Sequence, residues 1–233
     1  MEVNQTSRAV QVLTILYFAI SITELMMELF AYRPAIYFLK PLIPVVLMVL
    51  YYCTSESRNL LFFAALLLSA VTNVLFIETE PNMLHAAVIT FTLHRICIVV
   101  FILKLIRLRD FIPLMIGVLP FLLIFFYLLM NSEVPENSMA VMVIQNILIS
   151  IMGGVAVSNY IMADNRANSW LLISVLLFVA LQVIVFIERY YLANLSPIVL
   201  RPIAMALNGF ACYTFYEVVV ASERQSDLNR TTV

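Results

Sequence analysis

Long apolar runs separated by short polar turns make up most of the chain. Eight runs are long enough to cross a hydrocarbon core about 30 Å thick as a helix. Their predicted bounds are 9–31, 36–52, 59–78, 84–105, 111–130, 138–162, 169–188 and 196–220. The pattern therefore predicts an all-α fold, a polytopic membrane bundle of about eight transmembrane helices, with residues 1–233 forming a single transmembrane domain.

Two features of the first two runs complicate this prediction. The boundary between them, around Ala31–Ala35, is the least distinct, and merging the two runs would leave seven spans. The second run contains Pro41 and Pro44. Proline removes a backbone donor and clashes with the preceding turn of a helix, so a kinked or irregular start is expected there.

Composition supports the membrane prediction and narrows the chemistry. The chain is 64% hydrophobic and only 12% charged, which is typical of a polytopic membrane protein and not of a soluble domain. With a formal net charge of −1, the chain has no polybasic surface that would suggest nucleic acid or anionic lipid binding. Three scattered cysteines, Cys53, Cys97 and Cys212, lack metal-ligand spacing, so we expect no metal site. No cofactor motif is present, and we expect no cofactor.

The distribution of basic residues predicts the orientation. With eight spans, both termini lie on one side of the membrane. That side collects eight basic residues: Arg8, Arg58, Lys104, Arg107, Arg109, Arg166, Arg224 and Arg230. The other side collects four: Arg33, Lys40, Arg189 and Arg201. The positive-inside rule therefore predicts that both termini are cytoplasmic.

Charged residues within the spans are candidates for a functional site, because burying them in lipid is costly. Glu24 and Glu28 lie one helical turn apart on one face of the first span. Two such carboxylates repel each other unless a cation intervenes, and Lys40 is the obvious candidate. His94 and Arg95 lie near the middle of the fourth span, where Arg95 must find a carboxylate or water.

Other polar residues share a depth with these groups. Asn73 and Gln182 lie in the outer halves of the third and seventh spans, and Arg201 enters the eighth span from outside. A shared depth favours a polar cavity open to the outer leaflet, with Lys40 and Arg201 as partners of a lipid phosphate. The alternative is local hydrogen bonding between helices, with charged side chains reaching the interface. The predicted site comprises Glu24, Glu28, Lys40, Asn73, His94, Arg95, Gln182 and Arg201.

Short motifs along the chain carry a family resemblance. Phe38-Leu-Lys-Pro-Leu42 opens the second span, and Phe91-Thr-Leu-His-Arg95 places His94 in the fourth. The order of these features resembles the YhhN family, the lysoplasmalogenases. The resemblance implies an eight-span fold and hydrolysis of the vinyl ether of a lysoplasmalogen, which gives an aldehyde and a glycerophospho-alcohol. It also implies a membrane lipid or lysophospholipid as the partner, and it leaves the oligomeric state open.

The departures from the family pattern fall on its acids. The family's Gly-Asp in the third span reads Thr72-Asn73, and its Ser-Asp in the seventh reads Leu181-Gln182. A vinyl ether is cleaved by protonating its β-carbon and adding water to the resulting cation, which requires a proton donor and a nearby anion. A neutral amide can supply neither.

Several interpretations stay open from the sequence. In the first, the chain keeps the fold and a lipid cavity but has lost or changed the reaction, and the loss of both acids together favours it. In the second, Glu24, Glu28 or Glu188 replaces the lost acids, with His94 as a proton shuttle. A third is a small transporter or sensor with a polar pathway through Glu24, Glu28, Lys40 and His94-Arg95. A membrane scaffold without a ligand is the fourth.

Overall fold

The computed structural model describes residues 2–78, 80–105, 111–132, 134–162, 165–192 and 199–231. Within these ranges the chain forms eight α-helices and one short π-helical turn. The helices are α1 (Glu2–Leu29), α2 (Arg33–Thr54), α3 (Leu60–Leu75), α4 (Pro81–Leu105), α5 (Phe111–Met130), α6 (Glu136–Met162), α7 (Arg166–Phe186) and α8 (Leu200–Thr231), and the π-helical turn is Ile187–Tyr191. The predicted all-α bundle is therefore confirmed.

Seven of these helices are long and apolar enough to cross a membrane by length and composition, among the residues described. The exception is α3, whose 16 residues span about 24 Å. The multi-pass character of the chain is confirmed. The cytoplasmic location of both termini stays a prediction, and Arg107 and Arg109, which contribute to it, lie outside the described residues.

The first two spans are separated by a helix-ending turn at Ala31. This residue has a positive φ of 50°. The Tyr32 amide donates to the Met27 carbonyl at 3.0 Å, and the Ala31 amide donates to Glu28 at 3.1 Å. This is the Schellman arrangement, which satisfies the last carbonyls of a helix and is usually built on glycine. The turn resolves the least distinct boundary of the sequence in favour of two helices.

The second helix runs through both of its prolines. A kinked or irregular start was expected there; α2 is helical from Arg33 to Thr54 with Pro41 and Pro44 inside it, so the irregular start is wrong and the kink stays a prediction. Proline is tolerated within a membrane helix when a neighbouring helix satisfies the carbonyl that it leaves without a donor. Here Asn73 of α3, a residue of the candidate site, makes that contact.

Seven helices form a closed ring, in the order α1, α2, α3, α4, α6, α7, α8 and back to α1. The remaining helix, α5, packs outside the ring against α6. There Gly117 and Gly154 lie so close that a methyl group on Gly117 would sit 2.9 Å from the Gly154 carbonyl oxygen. Small residues of this kind let two membrane helices approach closely.

The two ends of the bundle are distinct. Successive helices alternate in direction along the chain, so α1 begins and α8 ends at the same end, which we call the terminal end; the other is the distal end. At the terminal end, the Glu223 carboxylate accepts from the Tyr51 hydroxyl and the Ser55 hydroxyl, each at 2.6 Å. The Tyr51 hydroxyl also accepts from the Asn59 amide at 2.8 Å. This terminal-end cluster of Tyr51, Ser55, Asn59 and Glu223 ties α2, α3 and α8 together.

Candidate functional site

A cavity lies inside the ring, in its distal half. Its volume is about 90 Å³, enough for several water molecules or a small head group. Residues of α2, α3, α4, α6, α7, the π-helical turn and α8 line it. The polar part of the lining consists of Lys40, Ser69, Thr72, Asn73, His94, Gln145, Gln182, Glu188, Arg189, Tyr190, Arg201 and Asn208. The predicted cavity therefore exists, and its opening toward the outer leaflet depends on the orientation, which stays a prediction.

A buried ion pair forms one wall. The Lys40 ammonium lies 2.7 Å from Glu28 Oε1, and both side chains are almost fully buried. The helix turn at Ala31 sets this contact, because it brings α2 back alongside the last turns of α1. The sequence prediction that Lys40 is the cation for the Glu24–Glu28 pair is confirmed for Glu28. Since each charge neutralises the other, the pair leaves little net field at this wall.

Asn73 has a specific partner on α2. Its side-chain amide nitrogen donates to the Lys40 carbonyl at 3.0 Å. In an uninterrupted helix that carbonyl would accept from the amide of residue 44, but Pro44 has no N–H. Asn73 therefore satisfies the carbonyl that Pro44 leaves free. A carboxylate at this position could not donate the bond.

A chain of hydrogen bonds crosses the deep part of the site. Arg95 Nη2 donates to Gln182 Oε1 at 3.3 Å, and Gln182 Nε2 donates to Gln145 Oε1 at 3.3 Å. Gln145 Nε2 then donates to the Thr92 hydroxyl at 2.8 Å. These bonds fix the direction of both amides, so that the carbonyl oxygen of Gln182 faces Arg95. They link α4, α6 and α7 across the ring.

Arg95 is the most deeply buried cation of the site, with an exposure of 1%. Its guanidinium carbon lies 4.9 Å from the centroid of the Phe91 ring and 5.2 Å from that of Phe178. Among the described residues, its Nε and Nη1 atoms have no hydrogen-bond partner. The sequence predicted that Arg95 needs a carboxylate or water; the protein provides an amide oxygen and two aromatic faces.

Glu24 and His94 are buried with incomplete hydrogen bonding. Glu24 has an exposure of 1%, and its Oε1 atom has no partner among the described residues. The Nδ1 atom of His94 is in the same state, while its ring stacks on Phe91 at 5.9 Å between centroids. His94 lines the cavity, whereas Glu24 does not.

The distal mouth of the cavity carries most of its exposed charge. The Arg201 side chain is 40% exposed, and its Nε atom lies 4.0 Å from Glu28 Oε2 and 3.9 Å from Glu188 Oε1. The Arg189 guanidinium lies 5.1 Å from the centroid of the Phe76 ring, and its Nη1 atom has no partner in the described part of the chain. The π-helical turn, which widens the end of α7, presents Glu188 and Arg189 here.

Aromatic packing fills the ring toward the terminal end. Phe62, Phe101 and Phe215 lie within 5.9–6.1 Å of one another between ring centroids. Phe178 joins them at 6.3 Å from Phe215. These four rings come from α3, α4, α7 and α8 and belong to the buried core. The polar cavity therefore stops at an apolar layer.

The chain matches one protein family over most of its length. The YhhN family model matches residues 35–216, most of the ring. The chain belongs to the YhhN family. No curated protein and no solved structure matches it.

Five of the eight residues predicted for the site of this YhhN protein line the cavity: Lys40, Asn73, His94, Gln182 and Arg201. Two more contact that lining, since Glu28 pairs with Lys40 and Arg95 donates to Gln182. Glu24 is in neither group. The catalytic roles assigned to Glu24, Glu28 and His94 stay predictions.

Sequence reasoning left seven polar lining residues out of the site: Ser69, Thr72, Gln145, Glu188, Arg189, Tyr190 and Asn208. Gln145 and Asn208 were visible as polar residues within spans, and their membership depended on which helices are neighbours in the ring. Arg189 follows Glu188 at the predicted end of span seven, where both read as interfacial. Phe91 precedes His94 by three residues, and that helical spacing was the available signal for its contact with the site.

Proposed function

We propose that this YhhN protein binds the head group of a single-chain glycerophospholipid in its distal cavity and does not hydrolyse the vinyl ether of a lysoplasmalogen. The proposal rests on which residues occupy the two positions where the family pattern has aspartate. Both are occupied by amides, and both amides are engaged with the protein: Asn73 with the Lys40 carbonyl, and Gln182 with Arg95 and Gln145.

The charges at the mouth suit a phosphate. Arg201 and Arg189 both line the cavity at its distal opening, and Arg201 has a large exposed fraction. Guanidinium groups bind phosphate oxygens with two parallel hydrogen bonds, which a single ammonium cannot do. The cavity volume fits a head group, so the acyl or alkenyl chain would stay among the surrounding lipids.

The carboxylates available in the described residues are poorly placed for the family reaction. Glu188 lines the cavity but lies at the mouth beside Arg201. Glu28 is held by Lys40, and Glu24 lies outside the lining. Vinyl ether cleavage requires one group that protonates carbon and an anion that stabilises the resulting cation. At the deep end of the cavity, where His94 and Gln182 lie, no described residue supplies a free carboxyl group for either role.

A pathway through the membrane receives less support than a binding pocket. A proton or anion route needs polar groups or water across the whole bilayer. The four phenylalanines on the terminal side of the cavity interrupt such a route.

Binding is tested with purified protein in lipid nanodiscs and a radiolabelled lysophospholipid. We expect saturable binding, weakened about tenfold by Arg201→Ala, which removes one charge-assisted phosphate contact. Arg33→Ala is the matched control, because Arg33 is an exposed arginine at the same distal end but outside the cavity. Equal losses in both variants would contradict a specific phosphate site.

Hydrolysis is tested separately by incubating the protein with a lysoplasmalogen and measuring aldehyde release. We expect no release above a protein-free control. Glu24→Gln, Glu28→Gln and His94→Ala are assayed in parallel. Turnover that any one of these changes abolishes would restore the enzyme interpretation and identify its acid.

A further inference from the structure

Next to the deep end of the cavity lies a cation that has no counterion among the described residues. Of the three nitrogen atoms of the Arg95 guanidinium group, only Nη2 has a hydrogen bond within this part of the chain, and its acceptor is a neutral amide. The ion pairs between described side chains involve Lys40 and Arg201 and not Arg95. Two aromatic faces offset part of the cost of burial. A buried, unpaired guanidinium is nonetheless costly, and an anion brought by a ligand would lower that cost.

Arg95 does not line the cavity but contacts residues that do. Gln182 and Phe91, which both contact it, line the cavity. Arg95 is 1% exposed and lies against two aromatic rings and a neutral amide, so its charge is screened far less than at a water-exposed surface. The guanidinium therefore acts on the cavity through its electric field, and it needs no direct contact with the ligand to favour an anion.

The whole site has an excess of positive charge. Four cationic side chains line it or contact its lining, against two carboxylates. The cations are Lys40, Arg95, Arg189 and Arg201, and the carboxylates are Glu28 and Glu188. Two cations are therefore left without an acidic partner, and one cation remains in excess even if the buried Glu24 is counted as ionised.

The family pattern makes this excess specific to the chain. With aspartate at positions 73 and 182, a site of this geometry would hold two further carboxylates, one of them beside residue 95. Here Gln182 occupies that position and Arg95 follows His94. The replacement of two acids by amides removes two negative charges from a site that contains Arg95.

We propose that the cavity selects a single-chain lipid whose head group has a net negative charge, a phosphate monoester or a carboxylate, over one with a zwitterionic head group. This inference rests on the proposed function and specifies the class of lipid bound. A zwitterionic head group carries its own cation, which the excess positive charge of the site disfavours. An anionic head group supplies the charge that Arg95 and Arg189 lack among the described residues.

The test compares three oleoyl lipids that differ only in their head group. Nanodiscs of neutral phospholipid containing the wild-type protein are titrated with 1-oleoylglycerol 3-phosphate, 1-oleoylglycerophosphocholine and oleate. We expect the phosphate monoester or oleate to bind at least about tenfold more tightly than the phosphocholine lipid, and the better of the two identifies the anionic group. Equal or tighter binding of the phosphocholine lipid overturns the inference but leaves lipid binding intact. Failure of both glycerophospholipids to bind overturns the proposed function as well, whether or not oleate binds.

Two substitutions at one position test the role of Arg95. Gln182→Glu adds a carboxylate beside the guanidinium with almost no change in size, and we expect it to remove most of the preference for the anionic lipid. Gln182→Met breaks the same hydrogen bonds without adding charge, so the preference should remain. Thermal unfolding of each variant checks that the bundle is intact. If a folded Gln182→Glu protein keeps the preference for the anionic lipid, the assignment of that preference to Arg95 is wrong. The comparison of the three lipids in the wild-type protein does not depend on either variant.

Discussion

At the terminal end of the bundle, both oxygens of the Glu223 carboxylate accept hydrogen bonds from side chains of α2, each 2.6 Å long. At the distal end, Arg95 is almost fully buried, with one hydrogen bond of 3.3 Å and two nitrogen atoms without a partner. Glu24, Thr72, His94 and Arg189 also have a buried polar atom without a partner among the described residues. The distal half thus keeps capacity for hydrogen bonds and charge that the terminal-end cluster has used, although the Ser158 hydroxyl near the terminal end also has no partner among the described residues.

The difference indicates two kinds of buried polar cluster. Polar groups that satisfy one another stabilise the fold and have little left to offer a ligand. Groups that remain unsatisfied cost stability, and each needs an explanation beyond folding. A ligand that completes their bonds is one such explanation, and it applies at the distal end because these groups surround or adjoin a cavity. The following changes test this division.

The largest expected effect is loss of the terminal-end cluster. Glu223→Ala removes both acceptors of the Tyr51 and Ser55 hydroxyls, so we expect the free energy of unfolding to fall by about 3 kcal/mol. Unfolding of the protein in mixed micelles measures it. Glu56→Ala is the control, because Glu56 is an exposed glutamate at the same end. Lipid binding should be unchanged in both variants, and a binding defect in Glu223→Ala would show that the two ends are coupled.

Ligand should stabilise the distal end by a comparable amount. A lipid at one hundred times its dissociation constant raises the free energy of unfolding by about 2.7 kcal/mol. We expect the same increment in Glu223→Ala, since effects at distant sites without shared partners usually add. The measurement is the unfolding midpoint with and without lipid. An increment that disappears in this variant would mean that the ligand acts through the terminal end.

Restoring one family acid should destabilise the protein. Asn73→Asp removes the donor to the Lys40 carbonyl and places a carboxylate oxygen next to it, for an expected loss of about 2 kcal/mol. Pro44→Ala returns a backbone N–H that can bond this carbonyl. We therefore expect Asn73→Asp to cost less in the Pro44→Ala background than alone. Equal costs in a double-mutant cycle would refute the link between Asn73 and Pro44.

The smallest effect separates two threonines, the half-buried Thr54 and the buried Thr72. Thr54→Val removes the acceptor of the Tyr216 hydroxyl and should cost about 1 kcal/mol. Thr72→Val replaces a hydroxyl that has no partner in the described residues, so the stability without ligand should stay the same or rise slightly. Both are read from unfolding midpoints. A clear loss in ligand-free Thr72→Val would show that its hydroxyl is satisfied and would weaken the contrast between the two ends.

Much of the fold and part of the site could be predicted from the sequence. Apolar run lengths indicated eight helices, because the membrane requires each segment to satisfy its backbone internally. The Lys40–Glu28 pair was predictable because a single tight turn joins their helices. Gln145 could not be assigned in the same way. Its place depends on the contact between α4 and α6, two helices that are not consecutive in the chain.

The sequence by itself determined the membrane class, the helices, and the presence of ionisable groups too costly to bury without a reason. Only the tertiary structure decided how each group is satisfied. Asn73 donates to a carbonyl freed by a proline on another helix, whereas Arg95 meets an amide and two aromatic rings. The physical reason is that the apolar pattern of a segment reflects the transfer of its own side chains out of water, which depends on the local sequence alone. Hydrogen bonds and ion pairs depend on which helices the closed ring brings within about 3 Å of each other.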